Sequence, residues 1–125
     1  MAEKDHTKAV VKWFKRRYPK YAGCLIGIPN GTKLHGSTLE RQKQASSLKS
    51  EGMKPGASDL FIAIPAGPYH GLWLEMKDVG KKESSLSDNQ KAHLKKMSEV
   101  GYKAEWAAGF DEAKKVIEEY LWRFK

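Results

Sequence analysis

Two strand-like runs, residues 59–64 and 71–77, stand on either side of a short Gly/Pro stretch, and no other feature limits the fold so tightly. The first reads Asp-Leu-Phe-Ile-Ala-Ile and the second Gly-Leu-Trp-Leu-Glu-Met-Lys, a pairing that predicts a β-hairpin. Side chains alternate along a strand, so Leu72, Leu74 and Met76 point one way and Trp73, Glu75 and Lys77 the other. The apolar set can face a layer of helices, which leaves Glu75 and Lys77 together on the opposite face. Asp59 opens the partner strand, where the hairpin can bring it beside Glu75.

The rest of the chain supplies helices for such a sheet. Ala9, Val10, Trp13 and Phe14 recur at helical spacing until Pro19 stops the pattern. Residues 21–28 read as a mostly buried strand closed by the turn Pro29-Asn30-Gly31. Residues 38–51 are polar with a thin apolar face of Leu39, Ala45 and Leu48, which suits a helix or a partly ordered loop. After a basic loop at 80–85, expected to be flexible, a helix starts at Ser87 and stops at Gly101. A strand at 102–107 follows. Ala113, Val116, Ile117, Tyr120, Leu121 and Phe124 then mark an amphipathic helix behind the candidate cap Asp111. The expected architecture is a mixed α/β domain, a small central sheet flanked by helices.

A chain of 125 residues is the size of one compact domain, and a single domain over 1–125 is expected. The lone Cys24 excludes an internal disulfide framework. No apolar run is long enough to span a bilayer, and the charged amino terminus has no signal-like stretch, so a soluble, cytoplasmic protein without a membrane partner is expected. The formal charge of +8 is scattered over several segments rather than gathered in a tail, which suits a folded domain with a basic, polyanion-facing surface.

Two carboxylates brought together at Asp59 and Glu75 repel unless a cation lies between them. Their hard oxygens suit Mg²⁺ or Mn²⁺, ions that keep several waters and take only one or two protein carboxylates. A lysine beside such an ion can orient a water or stabilise charge on a phosphate, and phosphodiester hydrolysis needs those parts. Glu-x-Lys is equally the pattern of a solvated surface pair worth under about 1 kcal/mol. Asp59 after Ala57-Ser58 is equally a strand-entry residue. On these motifs alone the plainer reading has the advantage.

The wider pattern changes that balance. Ile28-Pro29-Asn30-Gly31 is followed by Lys49-Ser50-Glu51-Gly52-Met53-Lys54-Pro55-Gly56-Ala57-Ser58-Asp59-Leu60, and then by Gly71-Leu72-Trp73-Leu74-Glu75-Met76-Lys77. Leu86-Ser87-Asp88-Asn89-Gln90 and Gly101-Tyr102 complete it. In this order the elements closely resemble the VRR-NUC family, a branch of the PD-(D/E)XK nucleases, in its compact stand-alone form. The resemblance implies a restriction-endonuclease-like core and metal-dependent cleavage of DNA to leave a 5′-phosphate. It implies Asp59 and Glu75 as metal-binding acids, the backbone carbonyl of Met76 as a further ligand, and Lys77 as the catalytic lysine. Gln90 matches a supporting glutamine and Glu3 an acid on the first helix that contacts the metal or its waters. Three positions depart from the family pattern: Thr7 stands where a glutamine is frequent, Ser58 where a proline is usual, and Lys33 where an arginine is common.

Some of these residues have a second reading. Ser87-Asp88-Asn89-Gln90 is also a capping box. Glu3 lies where a helix end frays. Asn30-Gly31 is also a tight turn, although the resemblance places Asn30 and Lys33 near the phosphate backbone. Lys54, Lys81 and Lys82 are expected to join them on DNA. The four histidines, His6, His35, His70 and His93, lack zinc-site spacing and are expected at the surface. Gly80-Lys81-Lys82 lacks the P-loop glycines, so no nucleotide cofactor is expected. Trp73 is expected to pack, and Trp13, Trp106 and Trp122 to be core or interface residues. The resemblance further implies a homodimer acting on branched DNA, in the manner of a Holliday-junction resolvase. A nicking or flap nuclease directed by a partner, and a non-catalytic DNA-binding domain, are the alternatives.

Overall fold

A computed structural model of the chain describes residues 2–29 and 34–124. The sheet is built around the hairpin. Strand β2 (Leu60–Ile62) pairs antiparallel with β3 (Leu72–Lys77), with Leu60 opposite Leu74, Phe61 opposite Trp73 and Ile62 opposite Leu72. A short strand β1 (Leu25–Gly27) lies antiparallel on the outer side of β2. On the other side of β3, β4 (Lys103–Ala108) runs parallel to it, giving the order β1-β2-β3-β4. A parallel neighbour requires a crossover rather than a turn. Helix α3 (Asp88–Glu99) supplies it, started at the predicted Ser87 cap, whose hydroxyl accepts the N–H of Gln90 at 3.1 Å.

The predicted alternation on β3 divides the two faces. Leu72, Leu74 and Met76 are fully buried in one cluster with Val10 and Phe14 of α1 (Glu3–Arg17) and Ile117 of α4 (Phe110–Tyr120). Leu121, just past α4, closes the same cluster. Each such side chain contributes about 1.5–3 kcal/mol on burial, so this layer fixes the orientation of β3. The hydroxyl of Tyr120 donates to the carbonyl of Ile64 at 2.7 Å and ties α4 to the hairpin. Trp73, Glu75 and Lys77 consequently face the other way, towards α3.

Several elements differ from the sequence expectation. Residues 21–28 are not a long buried strand: Pro19 opens a 3₁₀ turn over Pro19–Cys24, because proline is preset for a first helical position. Only three residues of β1 remain, at the sheet edge, with Ile26 43% exposed. Of the two alternatives for residues 38–51, the helix is the one that forms, α2 (Thr38–Ser50), although none of its residues is buried and Leu39 is 60% exposed. What starts it is a capping box, in which Ser37 Oγ accepts the Glu40 N–H at 3.2 Å and Glu40 accepts the Ser37 N–H at 3.3 Å. Asp111 is not the cap of α4. Gly109 is, at φ +91°, since one residue alone joins β4 to α4 and an added Cβ would meet Val79 at 2.5 Å. The 80–85 loop contains a 3₁₀ turn, Glu83–Ser85, held by Ser85 Oγ on the Lys82 carbonyl at 2.7 Å. Trp122 is 70% exposed and is not a core residue. Among the described residues no helix is long and apolar enough to cross a membrane.

Candidate active site

Continuing the hairpin register one step past Leu60 and Leu74 sets Asp59 opposite Glu75. Asp59 Oδ2 accepts the backbone N–H of Met76 at 2.8 Å. The carbonyl of Asp59 accepts the N–H of Ile28 at 2.8 Å, which anchors it to the end of β1. Ser58, fully buried, donates its backbone N–H to Nδ1 of His93 at 3.3 Å, and its hydroxyl lies in hydrogen-bond contact with the same nitrogen at 3.1 Å. Three elements, β1, β3 and α3, thus hold the chain at Asp59. Gly56 permits the close fit to α3: it sits at φ +85°, and a Cβ there would lie 2.4 Å from the Asn89 backbone.

Glu75 is 1% exposed, and its Oε1 is buried with no hydrogen-bond partner. Burial, followed by the hydrogen bond its protonated form makes to Asp59 and by the Asp59 charge, pushes its pKa up to about 9, with Lys77 opposing the rise. Glu3 is delivered to the same place as the first residue of α1. Its pKa is also raised, first by burial and then by the charges of Asp59 and Asp78, again against Lys77. Asp78, which directly follows the predicted Glu-x-Lys, has a buried Oδ1 without a partner. It escaped the sequence reading, and its adjacency to Lys77 is the signal that pointed to it. Among the described residues Lys77 makes no ion pair, so its positive charge is not neutralised by contact.

Buried carboxylate oxygens without partners are costly unless a cation or a proton compensates them, and this is the observation that fits a divalent metal. Backbone N–H and C=O of one strand residue point to the same edge and alternate along the strand. Lys77 uses the β4 edge, where its carbonyl accepts the Gly109 N–H at 2.8 Å, whereas the Met76 N–H uses the Asp59 edge. The Met76 carbonyl therefore belongs to the Asp59 side, beyond the last β2 pairing. Asp59, Glu75 and this carbonyl form a donor set of hard oxygens suited to Mg²⁺ or Mn²⁺. Among the described residues no three His, Cys, Asp or Glu side chains are gathered closely enough to cage an ion. A cation that retains most of its waters needs no such cage.

Gln90 stands at the start of α3 with its side-chain oxygen accepting the Ser87 N–H at 2.8 Å, the capping-box geometry. Lys54, Lys81 and Lys82 are exposed on loops. Asn30 and Lys33 lie outside the described residues. Two histidines expected at the surface are buried. His93 holds Ser58, and His6 Nδ1 accepts the Phe110 N–H at 3.1 Å, joining α1 to the start of α4. Neither was legible locally, because each is buried by a partner distant in the chain. Trp73 packs as expected, stacked on Phe61 with ring centroids 4.4 Å apart and meeting His93 edge-on at 4.9 Å.

Comparison with known proteins agrees with this fold. The family profile of the VRR-NUC domain matches residues 1–111. A solved structure titled "VRR_NUC domain protein" superposes with a TM-score of 0.78 at 28% sequence identity, covering 100% of this chain and 92% of that one. No curated relative matches. The four-stranded mixed sheet between helices is the restriction-endonuclease-like fold of that neighbour. With nearly the whole chain matched by the profile and superposed on the neighbour, this protein belongs to the VRR-NUC family.

Proposed function

We propose that this chain is a Mg²⁺- or Mn²⁺-dependent DNA endonuclease that hydrolyses phosphodiester bonds by direct attack of water. The observation that carries the reading is the buried Glu75 carboxylate, unpartnered at Oε1, beside Asp59 and in the field of Lys77. Asp59, Glu75 and the Met76 carbonyl would hold the ion. When bound, the cation supplies Lewis acidity at the phosphate and polarises the attacking water. Asp59 keeps the two strands in register while it binds, through its bond to Met76. Lys77 offsets negative charge that builds on the phosphate, a task that needs a cation not already paired. Glu3 reaches the site from α1 and orients water around the ion. Gln90 supports the site at the entrance of α3. Lys54, Lys81 and Lys82, together with Asn30 and Lys33, receive the DNA backbone, and the basic excess of the chain favours that partner.

The preferred substrate is branched DNA cut by a homodimer, which would present two such sites to one junction. The support for this finer reading is the likeness to compact stand-alone family members. Incubating the purified protein with four-way-junction, flap, nicked and linear duplex DNA, each with Mg²⁺, Mn²⁺ or EDTA, tests it. Symmetric paired cuts in the four-way junction are expected. Cuts confined to flaps or nicks would replace the resolvase reading with the flap-nuclease one.

A further inference from the structure

A cavity of about 840 Å³ opens on the Glu75 side of the sheet, between α3 and the loop that follows α2. That volume is within the range of small-ligand sites, about 300–1,000 Å³. Its wall includes Trp73, which precedes Glu75 by two residues on the same face of β3, a separation of roughly 6.6 Å at ~3.3 Å per residue. On the other side it includes Ala57, directly before Ser58-Asp59. The cavity therefore lies beside the place where a phosphate would be cut, and its wall residue His93 bonds Ser58, the neighbour of Asp59. Met53, Met97 and Leu48 give it an apolar lining, and His93 meets Trp73 edge-on within it. Trp73 is held rigidly by its stack on Phe61, and its indole N–H is buried without a partner. Lys54, exposed on the loop, brings positive charge to the wall, close enough to add to burial in lowering the pKa of His93.

We propose that this cavity receives one unstacked nucleobase of the DNA strand, the base attached to a nucleotide next to the cleaved phosphate. The assignment rests on the nuclease reading above and adds to it the substrate feature that the enzyme reads. A largely apolar pocket with an aromatic wall suits the face of any base, and a lysine at its edge suits the adjoining phosphate. The tether matters as much as the lining. A base is the one part of DNA that hangs beside a phosphate seated at Asp59 and Glu75, so the pocket and the site are filled by the same nucleotide step. Flapped DNA offers unpaired bases, and bases at a branch point unstack at less cost than those within a continuous duplex, so the pocket accounts for structure selectivity without sequence-specific contacts.

The test compares cleavage of the best-cut DNA with the same DNA carrying an abasic sugar on one or the other side of the cut. It uses the wild-type protein and Ala92→Phe. Ala92 lies on the pocket wall at an exposed helix position, so a larger side chain fills the cavity without entering the core. Loss of one base-stacking contact is expected to raise KM about tenfold for wild type on one abasic substrate. Ala92→Phe should show the same rise on intact DNA and no further rise on the abasic one, a non-additive pair. A second measurement needs no variant in the pocket. In Glu75→Gln protein, the Trp73 indole N–H resonance should shift on titration with an eight-nucleotide single strand and not with a blunt duplex. Wild-type protein that cuts intact and abasic DNA equally well overturns the pocket and leaves the nuclease reading standing. Protein that cuts no DNA overturns both.

Discussion

Asp59 Oδ2 and the backbone N–H of Met76 are joined at 2.8 Å, across the hairpin and between the two β3 side chains, Glu75 and Lys77, that face the site. One hydrogen bond thus ties Asp59 to the strand that carries Glu75 and Lys77. A carboxylate in this position closes the register of a short strand and, on the proposed reading, would present its second oxygen to a cation.

Asp59→Ala and Asp59→Asn separate those two roles. Alanine leaves the Met76 N–H unpaired and should lower unfolding free energy by about 1–3 kcal/mol. Asparagine retains an acceptor oxygen for the Met76 N–H, so it should lose less than half of that in urea unfolding measured in EDTA. Both variants should lose cleavage. Equal destabilisation by the two would show that the hydrogen bond does not organise the hairpin.

Glu75 gives the metal-free protein a pH dependence of definite sign. Its folded pKa, about 9, lies above the usual carboxylate value of 4.5, so over that interval the folded state binds more protons than the unfolded state. Stability then falls as pH rises through the interval. On the proposed reading a divalent metal would replace the proton, and the rise in Tm on adding Mg²⁺ should grow with pH over the same window. Glu75→Gln should flatten the pH profile in EDTA and abolish the Mg²⁺ response. Thermal unfolding across the window, with and without Mg²⁺, checks each arm.

Lys77→Met should reduce turnover by about 10²–10³-fold, the scale of removing one well-placed charge at a transition state. The metal-induced rise in Tm should persist, because the donor set is untouched. A Lys77→Met protein that no longer responds to Mg²⁺ would assign the lysine to assembling the site rather than to the phosphate.

Gln90 carries a cap that can be kept or removed. Gln90→Glu retains the capping box with Ser87, whereas Gln90→Ala should cost about 0.5–1 kcal/mol in urea unfolding. Turnover that falls with stability in Ala and is intact in Glu identifies a capping residue. Turnover lost in both, with stability intact in Glu, identifies a supporting residue of the reaction.

The hairpin and its charged face were legible because alternation and a Gly/Pro connection are local signals, and so was the Ser87 start of α3. Residues 21–28 were misread as one strand because an apolar run does not distinguish a strand from a 3₁₀ turn, and the proline that decides it stands before the run. Helix α2 has almost no apolar face, yet the Ser37-x-x-Glu40 box that starts it was present in the sequence. His6 and His93 could not be read as buried, since His93 depends on Ser58, 35 residues away, and His6 on Phe110, 104 away. The pairing of Asp59 with Glu75 was legible as a possibility of the hairpin. The depth at which Glu75 is buried was not, because it depends on how α1, α3 and the loop before Asp59 close around it.

The most direct test of the site is cleavage of four-way-junction DNA by wild type and by Glu75→Gln, with Mg²⁺ and with EDTA. Metal-dependent cleavage by wild type, with no product from Glu75→Gln or in EDTA, is the result predicted here. Undiminished cleavage by Glu75→Gln, or by wild type in EDTA, would contradict it.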